Sequence, residues 1–334
     1  MRRGLIIGML AALVALPLGA SATHPGRRGK IAYAGFPKGA DKPEIYVRGK
    51  DGSGILRLTR NRRWDTDPVW SASGRHIAWS CRGRTVKADP TFTADICVMK
   101  PDGSKKQVFS FARSVRTPDF APNGRHIVYV TDGPNPVVDG RATFPSDEVW
   151  VMDRDGSDRK RLTDNTISEA AVSWSPAKGE VAFAGLSRRR GGIWILDLQT
   201  KKTRLVASDA NVAVSSNRHG SVISGELDWS PNGRWIVFTR STSDGTDIVA
   251  VHRSGDRVRR VTKAPPADHD TNPAWAPDGK TIVYRHASEG TSGPGLTCLV
   301  AFPPKDGPVT TNHDDCPGHN VTEFDFSWQP RPRS

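Results

Sequence analysis

The chain has 334 residues, with 48 lysines and arginines against 35 aspartates and glutamates, for a formal net charge of +13. Beyond one apolar stretch near the N-terminus, no segment is long enough to cross a bilayer as a helix, which sets aside a multispanning protein. The four cysteines include no Cys-x-x-Cys pair, which sets aside a standard zinc module, and no motif interleaving basic and aromatic residues speaks for nucleic acid.

The first element is a leader. Met1-Arg2-Arg3 is a short basic start, Leu5 to Leu18 is mostly apolar, and Ala20-Ser21-Ala22 has the small residues of a cleavage site. The reading is a signal peptide over residues 1–22, with Thr23 the first mature residue and a secreted or periplasmic, cell-envelope destination. Retention as a membrane anchor is the alternative, for which the stretch is short. Loss of Arg2 and Arg3 takes the net charge from +13 to +11.

From there to the end one phrase recurs. Its cleanest copies are Asn272-Pro-Ala-Trp-Ala-Pro-Asp-Gly-Lys280 followed by Thr281-Ile-Val-Tyr284, and Leu227-Asp-Trp-Ser-Pro-Asn-Gly-Arg234 followed by Trp235-Ile-Val-Phe238. Looser copies centre on Trp70, Phe120 and Trp174, and a truncated one ends at Trp328. The anchor aromatics are 50, 54, 55, 46 and 53 residues apart, a period that belongs to an array of similar units. Pro-Asx-Gly is a tight turn between two antiparallel strands. A second hairpin follows in each unit: Glu44–Thr59, Asp95–Phe109, Glu148–Thr163, Gly192–Val206 and Asp247–Thr262. Each unit is therefore expected to hold four antiparallel strands, the pattern of a propeller blade.

The Trp-Ser-Pro-Asx-Gly turn, the strand Trp150-Val-Met-Asp153 and the ending Arg161-Leu-Thr163 resemble the TolB-type, WD40-like propeller repeat over residues 29–330. TolB proteins of Gram-negative envelopes carry an α/β domain before the propeller. Here the repeat begins almost directly after the leader, so that domain is expected to be absent. The last unit supplies one strand, from Phe324 to Trp328, while Lys30–Ala34 and Glu44–Arg48 match the second and third strands of a unit. One blade is then composed from both termini, and the expected fold is an all-β, six-bladed β-propeller.

Export is compatible with disulfides. Cys81 with Cys97 and Cys298 with Cys316 each fall on neighbouring strands of one unit, and within-unit bridges are the simplest of the three pairings; buried thiols are the alternative. No Gly-x-Ser-x-Gly elbow, His-Glu-x-x-His pair or phosphate-binding loop occurs. A non-enzyme without cofactor or metal is expected. The residues entering each first strand form the candidate binding site at the channel mouth: Asp65, Asp67, Glu169, Glu226, Asp268, His269, Asp270 and Glu323, with Arg116 beside them. They suit a cation or a basic peptide, or are ordinary solvated turn residues. His313, Asp314, Asp315 and His319 around Cys316 are metal-ligand types at no standard spacing. The segments 82–94, 131–147 and 209–224 are long loops and candidate contact surfaces. Arg188–Arg190, Lys201, Lys202, Arg257, Arg259 and Arg260 attract an anionic polymer or headgroup, or serve solubility and edge protection. The expected function is a monomeric scaffold binding a protein or envelope polymer; the alternative is a glycan- or peptide-acting enzyme with its site at the channel mouth.

Overall fold

The computed structural model describes residues 27–86, 89–131, 137–138, 141–142, 147–187, 190–208, 227–243, 245–288, 296–303, 308–310, 316 and 323–331. The leader, Glu226, Arg188, Arg189, the segment 209–224 and the cluster of His313, Asp314, Asp315 and His319 lie outside the described residues.

Every regular element among the described residues is a β-strand. Three sheets follow the chain in order: Trp64–Trp70, Ile77–Val86, Asp89–Met99 and Gln107–Phe109; then Val115–Phe120, His126–Thr131, Glu148–Asp153 and Lys160–Arg161; then Ser168–Trp174, Glu180–Ser187, Arg190–Asp197 and Thr203–Ser208. In each, four strands pair antiparallel with their sequence neighbours. A seven-stranded sheet follows. It is a four-stranded set beginning at Leu227–Trp229 and a three-stranded set beginning at Asp268–Trp275, joined by one parallel bridge, Thr246 to His269. The backbones meet so closely there that a Cβ on Gly245 would stand 2.0 Å from the Asp268 carbonyl oxygen. The final strand, Glu323–Arg331, pairs with Arg27–Gly35, which pairs with Glu44–Arg48 and then Leu56–Arg57.

Two expectations change. The segment 82–94 is not simply a loop, because the second and third strands run on through Val86 and from Asp89. The unit beginning at Asp268 shows three strands among the described residues; Val309–Thr310 pairs in parallel with Thr262–Lys263 of the preceding unit instead.

Apolar side chains fill the spaces between successive sheets. The anchors Trp70, Phe120, Trp174, Trp229, Trp275 and Trp328 are 0–9% exposed. Removing one such side chain from a packed core typically costs about 3–5 kcal/mol. One cluster joins Ala274 and Val283 to Ile31, Tyr33, Phe326 and Trp328, so the last sheet packs on the sheet that contains both ends of the described chain. A second repeated device holds the outer strands. In Arg57-Leu-Thr59, Arg161-Leu-Thr163 and Arg260-Val-Thr262 the threonine hydroxyl accepts the backbone N–H of Ile45, Val149 and Ile248, at 2.9, 2.9 and 3.0 Å. The arginine pairs with the buried acid one residue earlier, Glu44, Glu148 or Asp247. Part of the basic composition is thus committed to internal pairs.

Candidate functional site

The first strand of each unit faces a central cavity. Its lining comes from six strands and includes Asp67, Thr117, Asp119, Ser173, Asp228, Asn272 and Asp325. These are the residues one and three places before the anchor aromatic. Residues five places before it do not line the cavity. A bulge explains this. Trp70 pairs with Ile77 and Asp65 with Cys81, so five steps along the inner strand match four along its partner. The extra residue flips the alternation and puts Asp65 on the core face with Trp70. The same one-residue shift occurs before Phe120, Trp174, Trp275 and Trp328. The bulge residues Asp67, Thr117, Asn272 and Asp325 have φ of 52°, 47°, 56° and 55°. Asp and Asn tolerate this left-handed region better than most residues.

The sequence-predicted acids divide accordingly. Asp65, Glu169, Asp270 and Glu323 are buried, and each has an internal partner. Asn61 Nδ2 donates to Asp65 at 2.7 Å and Asn165 Nδ2 to Glu169 at 2.9 Å. Asp270 meets His286 Nδ1 at 2.8 Å. Glu323 accepts from Arg48 Nη2 at 3.0 Å and from the Thr297 hydroxyl at 2.6 Å. Burial pushes the Asp65 carboxyl up and the Glu169 carboxyl up to about 8. Asp268 and His269 are half-buried; Asp268 lies 3.5 Å from His286 Nε2. Arg116 spans two sheets, donating to Asp147 and to the Ala170 and Glu169 carbonyls. Of the seven predicted residues that are described, Asp67 is the one in the cavity wall.

Asp119, Asp228 and Asp325 are wall residues that sequence reasoning missed. They link neighbouring sheets. Trp174 N–H donates to Asp119 at 2.7 Å, Trp275 N–H to Asp228 at 2.7 Å, and Trp70 N–H to the Ser327 hydroxyl at 3.1 Å. Asp325 accepts from Asn272 Nδ2 at 2.7 Å and from Asp67 N–H at 3.1 Å. Burial raises the Asp119 carboxyl well above the usual range, against the Trp174 hydrogen bond and helped by the nearby Asp228 charge. Asp67, Asp228 and Asp325 are only half-buried and present carboxylate to the cavity. Such a wall can neutralise a cation or a cationic side chain.

The cysteine pairs are both at bonding distance. Cys81 and Cys97 have Cα atoms 6.0 Å apart, and Cys298 and Cys316 have them 4.6 Å apart.

Residues 136–293 match the TolB beta propeller domain. That match and the relatives below make the chain similar to TolB-type propellers. The Tol-Pal system protein TolB of Francisella tularensis subsp. mediasiatica is 22% identical over 293 residues, covering 86% of this chain and 60% of that protein. An uncharacterised protein of Agrobacterium fabrum is 25% identical over 154 residues, covering 46% of this chain and 47% of its own. The crystal structure of TolB from Acinetobacter baumannii superposes with a TM-score of 0.63 at 16% identity, covering 93% of this chain and 68% of that one. The chain spans less than two thirds of the length of these curated relatives.

Proposed function

We propose that the chain is an exported, six-bladed TolB-type propeller that acts without catalysis as a binding scaffold in the cell envelope or outside the cell. The single observation that carries this reading is the wall described above, where inner strands of separate sheets bring Asp67, Asp228 and Asp325 to one cavity. The ring closes where Glu323–Arg331 pairs with Arg27–Gly35 and where Trp328 and Ile31 pack against Ala274. The leader read in the sequence and the similarity to Tol-Pal system proteins support the envelope setting. A rigid, acid-lined channel suits a basic peptide segment or a cation, and screening weakens such an attraction as salt rises. Replacing Asp67, Asp228 and Asp325 together by Asn keeps their size and acceptor oxygens. Calorimetric titration with an oligolysine peptide and with calcium is expected to show binding to the parent, strongest at low salt, and its loss in the triple variant. Equal affinity in the two proteins rules out the channel. Loss of glycan or peptide turnover in the variant would favour the enzyme reading instead.

A further inference from the structure

We infer that the face opposite the channel mouth is a docking surface for an anionic phospholipid bilayer. The first hairpin turn of each unit lies on that face, where the inner strands end. Four of these turns place a cation directly after the turn glycine: Arg75, Arg125, Arg234 and Lys280. In the fifth, Lys178 precedes Gly179. All five are exposed, and among the described residues none of the five side chains is ion-paired. This sets them apart from Arg57, Arg161 and Arg260, whose charges are used inside the fold.

Four of the five turns touch in series, and the turn of Arg125 ends the inner strand of the unit between two of them. A Cβ on Gly233 would stand 2.6 Å from Ala177 Cβ, and one on Gly279 would lie 3.8 Å from Pro231. Arg28 Nε holds Asp278 at 2.6 Å, and Gln329 Nε2 donates to the Gly74 carbonyl at 3.2 Å. The two acids within these turns are neutralised in place, Asp278 by Arg28 and Glu180 by Arg253 and Arg204. The outer turns on the same face carry Asp51, Asp102 and Asp155, each bonded back to the serine two residues on, Asp197 bonded to the backbone of Gln199 and Thr200, and Asp158 and Asp256 paired with Lys160 and Arg257, together with exposed Lys105, Lys201 and Lys202.

The shape selects the partner. Like charges spread around a flat rim match a plane of anionic headgroups, whereas a linear polyanion is better served by a row or groove of cations.

The test is co-sedimentation of the full chain with vesicles of phosphatidylcholine alone and of phosphatidylcholine with one quarter phosphatidylglycerol. The neutral vesicles measure what the apolar leader contributes. Three proteins are compared: the parent; a variant with Arg75, Arg125, Lys178, Arg234 and Lys280 each changed to Gln; and a control with Lys38, Arg60, Arg62, Arg113 and Lys263, exposed at the opposite end, each changed to Gln. Both variants lose five charges. The parent should prefer the anionic vesicles, and that preference should fall steeply with added salt. The first variant should lose it by at least about a hundredfold, since each cation near an anionic bilayer contributes severalfold, while the control stays within about threefold. If the first variant does not fold, the salt dependence and lipid preference of the parent still decide. Equal binding of the parent to both vesicles overturns the proposal. So does an equal loss in the control, or binding of a soluble polyglutamate, dependent on the five cations, with none to vesicles.

Discussion

At the scale of single residues, one inserted residue decides which acids see the cavity. Read as plain alternation, Asp65, Asp67 and Val69 share a face. With the bulge, Asp65 turns inward beside Trp70 and is buried. The sequence showed the acids but not the bulge, because its residues are Asp, Thr, Asn and Asp in the four strands where φ is positive, with no common letter. Thr117 is the least suited of these, a β-branched residue at φ 47°. Thr117→Asn should stabilise the fold by about 1 kcal/mol, seen as a higher urea midpoint, by relieving that strain. Glu169 carries a pH signature. Its carboxyl keeps its proton to about 8 in the fold, against an ordinary value of 4.5, because burial penalises the charge. The folded state then binds more protons than the unfolded between those values. Its contribution is complete below about pH 4.5 and is lost as pH rises through 8. Glu169→Gln should therefore flatten the decline of melting temperature between pH 5 and 9, and the variant should melt above the parent at pH 9. An unchanged slope would show that Glu169 ionises freely in the fold.

At the scale of elements, the hairpins were legible because their turns are written in glycine. The inner turns place Gly74, Gly124, Gly233 and Gly279 at φ of 61–67°, and the outer turns place Gly52, Gly103, Gly156 and Gly255 at 83–88°. Both are left-handed conformations that other residues resist. The extension of two strands through residues 82–94 was not legible, since that stretch has no apolar alternation to mark it. The parallel pairing of Val309–Thr310 with Thr262–Lys263 was hidden for a similar reason: two residues carry no period. The pairing of Cys81 with Cys97 was legible from strand adjacency, whereas Cys316 lies in no strand and meets Cys298 all the same. Trp79 lies opposite Cys97, and Cys81 lies two residues along, opposite Asp95. Cys81 and Cys97 enclose a separation of 16 residues. Replacing both by Ser should lower stability by roughly 3 kcal/mol, the chain-entropy value for such a loop. Peptide mapping without reductant should recover Cys81 with Cys97 and Cys298 with Cys316; four free thiols would exclude both bridges.

At the scale of the whole molecule, the ends of the described chain are what turn a row of sheets into the proposed ring. The strand 323–331 is the inner strand of a sheet whose other three strands, 27–35, 44–48 and 56–57, come from the opposite end of the described chain. Arg48, buried, meets Glu323 across that sheet, and Arg28 reaches Asp278 in the preceding unit. Removing one partner of a buried pair such as Arg48 and Glu323 is strongly destabilising, because the other charge is left without compensation. The cavity wall depends on the same strand, since Asp325 joins Asn272 on one side to Asp67 on the other. The repeat spacing made the succession of antiparallel sheets readable, and the match of both ends to one unit is the ground on which closure is proposed. The most direct measurement is urea unfolding of a chain lacking Glu323 to Ser334, followed by tryptophan fluorescence and circular dichroism together. The truncated protein is expected to aggregate or to lose its single cooperative transition, with the two probes no longer coinciding. A truncated protein that unfolds in one transition at the parent's midpoint would contradict the closed ring.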